Sequence, residues 1–260
     1  MNPNISEFSY GYALTSELLY HYKLKTSDAP FFPSLSVEGK VGYDVEIATH
    51  GLPVFLQFKL SHLMVRGSAA GSDLVPTPHY RMYLRAPKHS KQHELLLKLE
   101  ARGRAVYYAA PIFSEPAELN DAYAKNEVAD RSAFFRPLAI GPLPDDEEHF
   151  VVFNSMSTSA WRLSDPKRVE RQEGRTLFAE RLPAEARSDG TPLLGTEYFR
   201  ILGSELVSLW DESVESSRRP EAESLRRMRE ERDPGDFLAY VSRTLLDCAV
   251  LFVVREEEAI

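Results

Sequence analysis

Apolar residues along the chain fall into two rhythms, a helical one near 3.6 and an alternating one of two, and the switches between them predict the elements. Phe8, Tyr12, Leu18, Leu19 and Tyr22 recur at roughly helical spacing and predict a helix over residues 7–22, clearest from Thr15, with Thr15 or Ser16 as a start signal for its second half. Ser27-Asp28-Ala29-Pro30 and Pro33-Ser34 mark a loop. Residues 41–60 (VGYDVEIATHGLPVFLQFKL) read as two apolar alternating runs around Thr49-His50-Gly51-Leu52-Pro53, a β-hairpin turning near Gly51. Residues 61–79 are rich in Gly, Ser and Pro and read as a surface loop, and residues 80–84 as a short strand.

Further along, residues 89–102 (HSKQHELLLKLEAR) predict a helix with Ser90 as N-cap and Gly103 as its stop. Residues 105–111 (AVYYAAP) predict a buried strand ended by its proline, residues 118–130 a helix, 137–144 a connector and 149–154 another strand. Residues 155–190 are polar with little periodicity. An amphipathic helix follows over 195–210, then a charge-dense exposed segment over 218–232. From Asp233 (N-cap) and Pro234 (first helical position), a long apolar helix is expected through about Val254. The order predicts an α/β domain over residues 1–155 and a mainly helical C-terminal region over 156–260.

Composition narrows the class. The 260 residues are 43% hydrophobic and 27% charged, as in a globular protein with a sizeable core. A single cysteine, Cys248, leaves no intramolecular disulfide, and no secretory pattern stands at the start, so a reducing, cytoplasmic setting is expected. The longest clean apolar run, 248–254, is too short to cross a bilayer, so no membrane partner is expected. The net charge of −8 argues against non-specific coating of nucleic acid. The charge is uneven, however. Residues 1–111 hold 12 Lys+Arg against 9 Asp+Glu and six of the seven histidines, and the remainder holds 19 against 30.

Strand geometry singles out one cluster. In an extended strand Phe55, Gln57 and Lys59 share one face, while Leu56, Phe58 and Leu60 share the other. Asp44 and Glu46 share a face of the preceding run. With the turn at Gly51, Asp44 lies opposite Gln57 or Phe58, so that Asp44, Gln57 and Lys59 converge inside strands of Val, Ile, Phe and Leu. A lysine there needs a reason, since a lone ionised group is costly away from water. A structural Asp–Lys pair is one such reason. The other is hydrolysis of a phosphodiester: a carboxylate and an amide oxygen are hard ligands suited to Mg²⁺, and a nearby lysine orients the nucleophile or stabilises the transition state.

Asp44, a twelve-residue gap and Gln57-Phe58-Lys59, followed by a helix and a buried strand, resemble the PD-(D/E)xK nuclease superfamily, in the Q-x-K form of its Mrr-like branches. The resemblance covers roughly residues 5–155 and implies a restriction endonuclease-like core, a mixed sheet flanked by helices. It further implies a Mg²⁺-dependent endonuclease acting on DNA (with Mn²⁺ a substitute), in which Asp44 and Gln57 hold metal and Lys59 assists the attacking water. An acidic residue of the first helix often completes such a site; Glu17 is the candidate and Glu7 the runner-up, with Glu46 a spare. The company such nucleases keep suggests bacterial anti-phage defence or restriction. The sequence departs from the pattern in having Gly42-Tyr43 where a proline commonly precedes the aspartate, and in Gln57, which brings one less negative charge to the metal.

Residues 80–104 carry seven Lys+Arg against two Glu, with Tyr80 and Tyr83 interleaved. They read either as a solvated helix face or as a groove wall tracking a nucleic-acid backbone, with Arg81, Arg85, Lys88, Lys91 and Gln92 as the contacts. The C-terminal region would dimerise or dock a protein partner. The rival reading is a nuclease fold that has lost strong metal binding and serves as a binding or assembly module.

Overall fold

The computed structural model describes residues 1–26, 49–213 and 219–255. In chain order these form α1 (Glu7–Tyr20), β1 (Thr49–Phe58), β2 (Ser61–Met64), β3 (His79–Leu84), α2 (Gln92–Ala101), β4 (Ala105–Pro111), α3 (Pro116–Lys125), β5 (Ser132–Phe135) and the single turn α4 (Pro137–Ile140). There follow β6 (His149–Phe153), β7 (Ser159–Leu163), β8 (Lys167–Glu170), β9 (Gln172–Glu173), a π-helical segment (Thr176–Arg181), α5 (Leu182–Ala186) and β10 (Leu193–Leu194). The chain continues through α6 (Thr196–Asp211), α7 (Arg219–Glu231), α8 (Pro234–Leu246) and β11 (Ala249–Val254). The fold is α/β, with a mixed sheet flanked by helices and a second, antiparallel sheet ordered β2-β3-β6-β7-β8.

Strand β1 is the hub of the mixed sheet. It runs parallel to β4 over residues 54–58, antiparallel to β11 over residues 51–56, and meets β10 at Thr49 and His50. Its faces divide as period-two geometry requires. Phe55 joins a core built from α2, α6, α8 and the inner face of the second sheet, while Val54 and Leu56 join a core under α1, α3 and α5, against which Phe58 and Leu60 also pack.

The expected hairpin turn at Gly51 does not exist, because residues 49–58 form one continuous strand. Both supposed turn residues have a strand-specific reason to be there. A Cβ on Gly51 would stand 2.3 Å from Leu194 Cδ1, so any larger residue there would push the buried Leu194 side chain aside. Pro53 lies opposite Phe252, whose N–H and C=O both pair with Lys25 on the far side of β11. Pro53 therefore occupies a non-hydrogen-bonded position toward β11, and pairing with β4 begins only at Val54, so no ladder bond needs its missing N–H.

The boundary between residues 155 and 156 fails too. It falls between β6 and β7, which pair with each other, and the last strand, β11, lies against β1. The polar stretch 155–190 supplies β7, β8, β9 and α5. The long helix expected from Asp233 begins as predicted, the Asp233 carboxylate accepting from the Gly235 amide at 2.8 Å, but it stops at Leu246. Asp247 takes a left-handed conformation (φ 54°) as its C-cap, and the β-branched run AVLFVV continues as a strand. The helix expected over residues 7–22 is present as Glu7–Tyr20, with its cap at Ser6, whose hydroxyl accepts from the Ser9 amide at 3.0 Å, and with no break at Thr15 or Ser16.

Phe252 is fully buried in β11 between the two layers. Phe252→Ala is expected to cost about 3–5 kcal/mol of stability in urea unfolding, which an appended C-terminal region would not do.

Candidate functional site

The polar cluster lies beyond the C-terminal end of β1, where an open α/β sheet most often receives its ligand. Gln57 and Lys59 are buried side by side, at 2% and 8% exposure. The Lys59 backbone N–H donates to Ala109 O at 2.9 Å, extending the β1–β4 ladder by one residue and fixing where the side chain starts. From the first turn of α2, Gln92 reaches across and ties the cluster together. Lys59 Nζ donates to Gln92 Oε1 at 3.1 Å, and Gln92 Nε2 donates to Gln57 Oε1 at 2.7 Å. Gln57 Nε2 in turn donates to Phe58 O at 3.0 Å.

The lysine sets the direction of this chain. An ammonium only donates, so the Gln92 atom beside it must be the carbonyl oxygen, which leaves the Gln92 amide nitrogen facing Gln57. That nitrogen has two hydrogens and three acceptors in range, Gln57 Oε1, Leu246 O at 3.2 Å and Asp247 Oδ2 at 3.2 Å. Gln92, expected as a nucleic-acid contact, is instead a buried part of the centre.

Two carboxylates complete the group. Asp247 enters from the turn between α8 and β11: the β1–β11 register, continued past Leu56↔Ala249, brings Cys248 beside Gln57, with Cys248 Sγ 3.9 Å from Gln57 Oε1. Asp247 is exposed, and its Oδ2 lies 3.5 Å from Gln57 Nε2. Glu7 enters from the start of α1. Helix α1 crosses the end of β1 so closely that a Cβ on Gly11 would stand 2.9 Å from the Phe58 ring, and Tyr10 meets that ring edge-on. This seat puts Glu7 within electrostatic reach of Lys59, Asp247 and Arg85.

The electrostatics are unusual for an acid facing a lysine. Burial lowers the Lys59 pKa below the ordinary lysine value against the pull of Glu7 and Asp247, and Arg85 lowers it further. Burial likewise raises the Glu7 carboxyl, with Asp247 adding to the rise and Lys59 opposing it. A simple ion pair would move both groups the other way. Desolvation therefore outweighs pairing at both, and each is held toward its neutral form.

The remaining expected residues divide. Asp44 and Glu46 lie outside the described residues, and with the turn at Gly51 gone, the reasoning that set Asp44 opposite Gln57 goes too. Glu17 does not reach the centre. Ten residues beyond Glu7 on the same helix, or about 15 Å along its axis, it is buried and accepts from the Val128 and Ala129 amides at 2.6 and 3.2 Å. Glu17 thus holds the segment after α3 rather than a metal. His93 is also structural: Nε2 faces Gly141 O at 2.8 Å and so carries the proton, leaving Nδ1 to accept from the Tyr108 hydroxyl at 2.9 Å. Lys88 and Lys91 are exposed and form weak surface pairs with Glu147 and Glu94. Arg81 lies on the second sheet, and exposed Arg85 borders the centre. Asp247 went unpredicted because it stood inside an expected helix; the signal available was a helix followed by Asp and then a β-branched run.

Among the described residues no three His, Cys, Asp or Glu side chains converge on one point, and no helix is long and apolar enough to cross a membrane. No family model, curated protein or solved structure matches the chain.

Between the lowered Lys59 pKa and the ordinary lysine value of 10.5, the unfolded chain binds more protons than the native one, so this residue makes stability rise with pH across that window. Urea midpoints taken from pH 7 to pH 10 are expected to show wild type gaining on Lys59→Met as pH rises. A constant difference would mean that Lys59 titrates normally.

Proposed function

We propose that the chain is a metal-dependent phosphodiesterase that cuts DNA, built on a restriction endonuclease-like core with its centre at the end of β1. The observation that carries this reading is the buried Lys59, two residues after Gln57 on the central strand, with Glu7 and Asp247 brought to it from opposite ends of the chain. The order β1, α2, then β4 parallel to β1 supports the same reading.

The donors suit a hard divalent cation in kind. Glu7 and Asp247 offer carboxylate oxygens, and the Gln57 oxygen, which accepts from Gln92 and weakly from the Cys248 thiol, would serve a cation in place of the thiol. Two carboxylates close enough for one to raise the other's pKa are a pair that a cation would relieve. When bound there, Mg²⁺ or Mn²⁺ would supply a Lewis acid that acidifies a water and offsets charge on the phosphate. The chain's own groups do the rest. Lys59, its ammonium form disfavoured by burial, holds a larger share of free amine than an exposed lysine and so is available to take a proton from the attacking water. Gln92 fixes the lysine amine and the Gln57 amide relative to one another, so neither must reorganise during reaction. Arg85, exposed beside the centre, meets the phosphate from the solvent side.

One observation favours a second reading, a binding module without catalysis: Lys59, Gln92 and Gln57 already satisfy one another, at 3.1 and 2.7 Å. Incubation with supercoiled plasmid and single-stranded circular DNA, in Mg²⁺ or Mn²⁺, separates the two. Cleavage is expected in wild type, with Lys59→Ala, Glu7→Gln and Asp247→Asn each reducing it by roughly 100-fold or more. Asp44→Ala tests the acidic residue of the sequence motif in the same assay. Glu17→Gln is expected to lower stability and leave the rate unchanged. Cleavage that survives in Lys59→Ala overturns the site, and wild type that cuts nothing with either cation selects the binding module.

A further inference from the structure

The second sheet buries one face against the main core, through Met82, Leu84, Val151 and Phe153, and turns the other outward. Part of the outer face is roofed by the loop that follows β2, where Val75 packs with Val152 and Leu163. Exposed Arg168 lies at the β8 edge of this face, and toward β2 and β3 the face is a patch of half-buried rings around Arg81. Tyr83 lies opposite Phe150 across the β3–β6 ladder, with ring centroids 5.7 Å apart. His62 meets Tyr83 edge-on at 4.9 Å. The Arg81 guanidinium lies 4.9 Å from the centre of the Phe150 ring and 5.6 Å from that of Tyr83, and its buried Nε finds no acceptor among the described residues.

This patch does not end at the sheet. Tyr83 is also a wall of a cleft of about 490 Å³, lined further by Arg85, Lys88 and His89, with Glu147 and Glu148 on its rim. The Lys88–Glu147 pair across it is exposed and 3.7 Å long, a contact that a phosphate readily replaces. Arg85, at the other end of the cleft, is the residue that faces Lys59 and Glu7 electrostatically. Tyr83 thus joins rings and cleft, and Arg85 sets the cleft within electrostatic reach of the centre, a path for an extended ligand.

We infer that this path binds a single-stranded nucleic acid, with unpaired bases stacked on Tyr83 and Phe150 and the backbone running past Arg81 and Arg85 toward Lys59. Rings on a sheet face reach bases only when these are unpaired, whereas a duplex presents phosphates and demands a broad cationic surface. The net charge of −8 and the carboxylates of Glu147 and Glu148 on the rim of this cleft work against a duplex there. The direction of the strand, toward Lys59, rests on the phosphodiesterase reading; the stacking does not.

Fluorescence anisotropy in EDTA, with labelled single-stranded DNA, single-stranded RNA and a blunt DNA duplex, measures binding apart from cleavage. One or both single strands are expected to bind at least roughly tenfold more tightly than the duplex, and the two arms show which sugar is preferred. Tyr83→Leu and Phe150→Leu, which keep apolar bulk without a ring, are each expected to weaken binding by roughly fivefold or more. Tyr83→Phe, which keeps the ring, is expected to bind as wild type. A duplex bound as tightly as the single strands, leucine variants that bind normally, or no binding to any oligonucleotide would each overturn the inference. Single-strand binding in a protein that cuts nothing with Mg²⁺ or Mn²⁺ would sink the catalytic reading and leave this one standing.

Discussion

Strand β1 has a neighbour along both edges and an apolar core against both faces, so from Val54 to Leu56 a polar side chain has no place on it. Only where the strand leaves the sheet can polarity return, and there it returns all at once, as Gln57 and Lys59. Because the strand is held so completely, its last side chains are aimed by the whole sheet rather than by their own neighbours. The hydrogen bonds that run from the Lys59 ammonium through Gln92 to Gln57 depend on that aim. The ladder bond at Ala109 fixes where the lysine side chain starts, and the bond to Gln92 supplies an acceptor for its buried end.

Much of this was readable from residue order, and what was not has a physical cause. Alternation along FLQFKL put Gln57 and Lys59 on one face and Leu56, Phe58 and Leu60 on the other, and the two cores divide in that way, because the period of a strand is a local property. The partner of that strand is not local. Gly51 and Pro53 look like turn residues to any local rule, yet each is present because of a contact far away in sequence, with Leu194 and with β11. Asp247 was hidden for the same reason: the β-branched run after it points to a strand, but nothing near it announces that residues 249–254 pair with β1. The choice between Glu17 and Glu7 turned on which way α1 crosses the sheet, fixed by the Gly11–Phe58 approach rather than by helical periodicity.

The centre and the frame pull in opposite directions. Burial disfavours the charged forms of both Glu7 and Lys59, and the nearest compensation, their mutual attraction, is too weak to reverse either shift. The fold tolerates this because the cost is confined to one corner, while the two cores and the β1 ladders are free of it. Groups held away from their preferred protonation state are characteristic of sites that act on something else. The same segregation marks the second sheet, whose inner face is ordinary core and whose outer face gathers rings around Arg81.

The pairing of β1 with β11 also has a consequence in time. Gln57 and Asp247 are 190 residues apart. At a synthesis rate of roughly 5–20 residues per second, the first waits on the order of 10–40 s for the second to be made. Throughout that interval β1 has an open edge and the lysine lacks one of its carboxylates. A nascent chain therefore carries the buried run at residues 54–56 on a strand with one edge unpaired, the kind of edge that invites wrong pairing. It also carries only a fragment of the centre. The polar corner is completed only when β11 reaches β1, so an unfinished chain has Gln57 and Lys59 without Asp247 beside them.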